Sequence, residues 1–100
     1  MKWAIVNVSQ PTMIAGVLVV GPVMFLHDDA RMARGEPCTS VHRVWPSGVA
    51  EELVAFHCRP HSAKAPATFI KTVDRDTPGP LVLTEYQFAG DSEAHGVPSR

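Results

Sequence analysis

Neither sign of charge dominates this chain: nine Lys and Arg stand against ten Asp and Glu, a net charge of −1. That excludes the basic footprint with which proteins hold nucleic acid. No basic run is present that would hold an anionic membrane surface. A phosphate-cradling glycine loop, a nucleophile elbow and a haem-attachment motif are all missing. So are internal repeats and low-complexity segments. Cysteine is scarce, with two in 100 residues. A chain of this length forms one domain at most and buries a modest core, which a staple, a metal or a partner subunit commonly supports.

Charge is also missing locally. Between Lys2 and Asp28 no side chain carries a formal charge, and all other charged residues lie in 28–100. The chain therefore divides into an uncharged apolar leader, 1–27, and a single small mixed-charge domain, 28–100. The leader has two readings. As a helix, residues 3–26 would extend about 36 Å, enough to span a bilayer, with Lys2 marking a cytoplasmic N-terminus or the start of an export signal. Against this, Asn7, Ser9, Gln10, Pro11 and Thr12 interrupt the first half, and Gly21-Pro22 would break or kink a helix in the second. Alternatively Ile5, Val6, Val8, Ile14, Val17, Val19, Val20 and Val23 favour buried strands near 3–9 and 13–20, with Gln10-Pro11-Thr12 as the turn.

The body reads as mainly β, with α+β as the variant. A short helix is expected within 28–37, capped by Asp28 or Asp29 and stopped by Gly35 and Pro37. A four-stranded antiparallel meander follows: 38–45, 51–58, 67–74 and 81–88. Pro46-Ser47-Gly48, the segment 59–66 and Asp76-Thr77-Pro78-Gly79-Pro80 connect the strands, and 89–100 forms a loop and tail. Neither 67–74 nor 81–88 has a cleanly polar face. Such a sheet requires cover from the leader, the helix or a second chain.

Cys38 and Cys58 carry the most chemical information. If Trp45 faces Glu51 in the first hairpin, Cys38 faces Cys58, at a separation a disulfide spans. Closing a loop of about 20 residues would contribute roughly 3 kcal/mol in the chain-entropy account. The same sulfurs, with His61 three residues after Cys58 and with His42, are zinc or copper ligand types; His27 or His95 could complete the set if their loops folded over it. His57 points away from Cys58 along the strand. Glu85, Tyr86 and His95 form an acid–base group only if the tail packs back on the last strand.

The run Phe56-His57-Cys58-Arg59-Pro60-His61 resembles the copper loop of the cupredoxins, over about six residues. In that family a Cys and a His three residues later, often with Pro between, bind copper at the end of a strand. The resemblance implies Cys58 and His61 as copper ligands. The chain departs from the pattern in three ways: Ser62, Ala63, Lys64 and Ala65 stand where a Met usually follows, a long segment follows Cys58, and only His27 or His42 lies upstream.

Three functions are consistent with these residues. The first is a small accessory or interaction module, a subunit of a larger or membrane-associated assembly with a protein partner or a second copy. The second is a zinc- or copper-binding protein. The third is a small enzyme with His57, His61 or His95 as acid–base.

Overall fold

A computed structural model describes residues 1–75 and 78–99. The longest feature is a hairpin of β1 (Lys2–Ile14) and β2 (Val17–His27). Its turn is Ala15-Gly16, both at positive φ (47° and 88°). That is the two-residue geometry whose twist matches the flanking strands. The turn expected at Gln10-Pro11-Thr12 is instead a bulge. Val8 pairs with Gly21 and Thr12 with Val19, so Ser9, Gln10 and Pro11 face Val20 alone. Pro11 has no N–H to give a ladder, and a bulge is where a strand accommodates it. Opposite, Gly21 takes φ 94°, which lets β2 bend through Gly21-Pro22 and continue to His27.

Helix α1 (Asp29–Ala33) follows, with Asp28 as N-cap accepting from the N–H groups of Ala30 and Arg31. Strands β3 (Thr39–Val44) and β4 (Ala50–Phe56) form the next hairpin. The remaining strands are β5 (Arg59–Ser62), β6 (Ile70–Asp74), β7 (Leu81–Gln87) and β8 (Glu93–Gly96). They make one sheet in the order β4-β3-β2-β1-β7-β8-β5, with β6 also paired to β7. The sheet curls into a half-barrel. All pairings are antiparallel except β1 with β7, which runs parallel over Thr12–Leu81 and Met13–Val82.

The mainly-β class stands, but the four-stranded meander is corrected to eight strands among the described residues. Two strands come from segments read as loop, 59–66, and as tail, 89–100. Arg-Pro-His-Ser carries a proline and no β-branched residue, and Glu-Ala-His-Gly is four residues with no β-forming side chain. They are strands because each finds the other's backbone, a non-local cause invisible in a local pattern. No described helix is long and apolar enough to cross a membrane; residues 2–14 and 17–27 are strands. The turn expected over 76–80 lies partly outside the described residues.

Alternation sorts the hairpin into two faces. Val8, Ile14, Val19, Val23 and Phe25 point inward, joined by Val41, Phe56, Leu83, Tyr86 and Phe88. Trp3, Ile5, Leu18 and Val20 point outward and are exposed. Phe25 is fully buried and stacks near Phe69 and Tyr86, each at 5.2 Å between ring centroids. Phe25→Ala is therefore expected to cost about 3–5 kcal/mol in urea unfolding. Ile5→Ala, on the exposed face, should stay within about 0.5 kcal/mol of the parent.

Candidate metal centre

One end of the inner face is polar. His27 closes β2 with the inward parity of Val23 and Phe25, and it is 2% exposed. It pairs across the sheet with Thr39, whose hydroxyl bonds the Tyr86 hydroxyl. Tyr86 pairs with His95 of β8. The His95 ring stacks on Tyr86 at 5.0 Å and lies 4.3 Å from the His27 ring. Burial pushes the Tyr86 phenol above its ordinary range. Burial, with His27 beside it, pushes His95 down to about 4, so its imidazole is neutral at pH 7.

The cysteines join this end by a route different from the expected one. Trp45 does not face Glu51: its N–H bonds the Val49 carbonyl, Arg43 faces Glu51, and the ladder shifts register between Val41 and His42. The last pair is Thr39–Phe56, which would set Cys38 level with His57. Yet Cys38 and Cys58 are at disulfide distance, with Cα atoms 6.3 Å apart. Cys58 lies past the end of the ladder, where the chain is free to turn, and its own N–H bonds Cys38 Sγ at 3.2 Å. A strict strand register therefore did not govern the contact.

Beside this pair, the donor atoms of His27, Cys58 and His95 all lie within 4.8 Å of one another. His95 Nδ1 is 3.7 Å from Cys58 Sγ. His27 Nδ1 is 3.2 Å from the Asp29 carboxylate, whose charge favours the proton on Nδ1 and leaves the Nε2 lone pair open. His27 Nε2 and His95 Nε2 are buried with no hydrogen-bond partner. The nearest acceptors to His95 Nε2, on Asp91 and Glu93, are 3.9 Å away. They favour the proton on Nε2 and turn the lone pair of Nδ1 toward the sulfur.

The other expected site residues go elsewhere. His61 does not fold back to the thiol. Its Nε2 bonds Glu85 on the surface, and that hydrogen bond raises the His61 pKa above its ordinary value. His42 bonds Ser40, on the outward parity of β3. His57 is exposed. The tail does pack back on β7, so Tyr86 and His95 meet, but Glu85 faces Gly96 and serves His61. The loop that resembles the cupredoxin copper loop thus contributes Cys58 and not His61. His27 and His95 entered the sequence reading only as outside completions. Every-second-residue parity from Val23 through Phe25 would have placed His27 inside had β2 been carried through Gly21-Pro22. His95 had no local signal. No family model matches the chain, and no match was found among curated proteins or solved structures.

Two outcomes follow for the metal-free protein. The folded pKa of His95, about 4, lies below the unfolded value of about 6.5, so the unfolded state binds more protons in between. Stability is fully present above about pH 6.5 and falls by about 3 kcal/mol as pH drops to 4. Urea unfolding in the presence of a chelator checks this, and His95→Gln should flatten the slope. The His61–Glu85 pair acts in the opposite sense, lost as pH rises through the raised pKa, but it is solvent-screened and small. Separately, reducing the Cys38–Cys58 bond, which closes a 20-residue separation, should lower unfolding stability by about 3 kcal/mol.

Proposed function

We propose that this chain is a small metal-binding domain that takes one zinc or copper ion through His27, Cys58 and His95, with Cys38 as a fourth ligand when the sulfurs are reduced. The observation that carries the reading is the convergence of three soft or borderline donors with a buried, unpartnered imidazole nitrogen on His27. Buried polar atoms in native proteins nearly always have partners. A cation here would supply the partner that His27 Nε2 lacks and take the His95 Nδ1 lone pair that faces Cys58 Sγ.

The chemistry of the donor set narrows the ion. Thiolate and imidazole suit zinc and copper, whereas calcium and magnesium take oxygen. Zinc holds sulfur near 2.3 Å and nitrogen near 2.0–2.1 Å, so donors around it stand about 3.6 Å apart. A contraction of about 1 Å from the 4.8 Å spread would achieve this. The lowered proton affinity of His95 helps, because a metal competes only with protons for that lone pair. Asp29, on His27 Nδ1, occupies the orienting position that carboxylates take behind metal-bound histidines.

Titration of the reduced, chelator-stripped protein with Zn²⁺ or Cu⁺ under native mass spectrometry tests the reading. One ion per chain is expected. His27→Gln and His95→Gln should each weaken affinity at least about tenfold, as should Asp29→Asn, whereas His42→Gln and His61→Gln should leave it unchanged. Failure to bind a stoichiometric ion, or equal loss in the His42 and His61 variants, would overturn it.

A second reading, the accessory or interaction module, is supported by the exposed Trp3, Ile5, Leu18 and Val20 on the outer face of the β1–β2 hairpin. Large apolar side chains exposed on one strand face are the kind that contact with another protein or a membrane would cover. Purification as a monodisperse monomer without detergent would count against it.

A further inference from the structure

The two sulfurs differ in ways that matter for their chemistry. Cys38 is 3% exposed, and the Cys58 N–H points at its sulfur. Thr39 Oγ1 lies 3.9 Å from the same atom. Cys58 is half-buried and lines an open cleft of about 380 Å³ with Pro37, Phe56, His57, Arg59 and Pro98. Arg59 places a permanent cation at that cleft, and the described residues put no carboxylate within 4.0 Å of it.

We propose that the Cys38–Cys58 bond is a thiol-operated gate: a small anionic thiol enters the cleft beside Arg59 and attacks Cys58 Sγ. Disulfide exchange proceeds by attack of a thiolate on one sulfur and departure of the other. Here the new bond joins the incoming sulfur to Cys58, and the S–S electron pair leaves on Cys38. The departing thiolate is received by the Cys58 N–H, so the bond is polarised in the direction that attack at Cys58 requires. A second thiolate then attacks the added sulfur, releasing the small disulfide and leaving Cys58 as thiolate. In total, two thiolates become one small-molecule disulfide, and their two electrons reduce the protein pair.

The consequence rests on the metal reading above, although the exchange chemistry does not. In the bonded state Cys58 has no thiolate to offer a metal. Its sulfur already lies 3.7 Å from His95 Nδ1 in that state, and opening the bond would free Cys38 beside it. The cleft therefore controls whether the ligand set exists, and the regulator is an anionic thiol rather than the metal itself.

The experiment is exchange kinetics on the oxidised full chain without metal. 3-Mercaptopropionate, 2-mercaptoethanol and cysteamine serve as anionic, neutral and cationic probes, with rates compared at equal thiolate concentration and corrected for basicity. The anionic thiol is expected to open the bond about three- to tenfold faster than the cationic one. Raising salt to about 0.5 M should flatten that order, and Arg59→Glu should invert it. Acid quenching and peptide mapping should find the mixed disulfide on Cys58. Equal rates for the three probes, or an adduct on Cys38, would overturn the gate. Arg59→Gln, which removes the charge without reversing it, should give equal rates and guards against misfolding of the Glu variant. Because no metal is present, a failure here is separate from a failure of the reduced protein to bind zinc or copper.

Discussion

Tyr86 is the residue around which the curled sheet closes. Its ring touches Phe25 of β2, Phe69 ahead of β6, Phe88 and His95 of β8, and its hydroxyl bonds Thr39 of β3. Those contacts draw together strands that are far apart in sequence. They also set the polarity of the interior. A tyrosine is accommodated in a core only where its hydroxyl finds a partner, and the need for Thr39 brings the start of β3, and with it Cys38 and the end of β2, to the Tyr86 end of the half-barrel. The apolar body of the ring faces the phenylalanines, while its other neighbours are Thr39 and His95, beside which His27 lies. One aromatic side chain thereby divides the core into an apolar bulk and a polar end.

The polar end is costly for so small a domain. Two imidazoles are buried there with an unpaired nitrogen each, and unsatisfied buried polar atoms cost on the order of 1–3 kcal/mol apiece. The covalent tie between Cys38 and Cys58 offsets part of this by restricting the unfolded chain. A bound ion would offset part of it differently, by taking the lone pair of His27 Nε2; the His95 Nε2–H would still face only Asp91 and Glu93 at 3.9 Å. Both devices draw on the same Cys58 sulfur, so they cannot operate together. On the proposed metal reading, stabilisation by a bond and stabilisation by an ion would be alternatives, with Cys58 common to both.

Much of this fold was legible in the sequence. β-Branched runs marked β1 and β2, turn residues bounding the runs between them marked β3, β4, β6 and β7, and Asp28 marked the start of α1. The strands that escaped, β5 and β8, are four residues each; β5 is exposed throughout, and β8 buries Ala94 and His95 between two partly exposed ends. Their formation depends on each other and on Glu85 and Tyr86, which no window of neighbouring residues contains. The bulge at Ser9–Pro11 escaped for a related reason. Proline and its polar neighbours signal a turn locally, and only the length of β2 opposite decides that the strand passes through. The proximity of the two sulfurs was read correctly from a register that the structure does not have. It survives because Cys58 lies beyond the last ladder pair.

The cluster of His27, Cys58 and His95 shows why nearness in sequence is a poor guide to which donors meet in a β protein. His61 is three residues from Cys58 and His42 four from Cys38, yet both lie outside the cluster. His27 and His95, distant from either sulfur along the chain, lie within it. Strand side chains alternate faces, so membership of a site is decided by parity first and by pairing second. His42 shares β3 with Thr39 but has the opposite parity, and it meets Ser40 instead. His61 sits on a strand that is exposed throughout and finds Glu85. His27 keeps the parity of Phe25, and His95 keeps that of buried Tyr86 across the ladder. The interior of a curled sheet therefore recruits its polar residues two by two from paired strands, and a search for ligands around the cysteines should begin from the residues that share a face with the core.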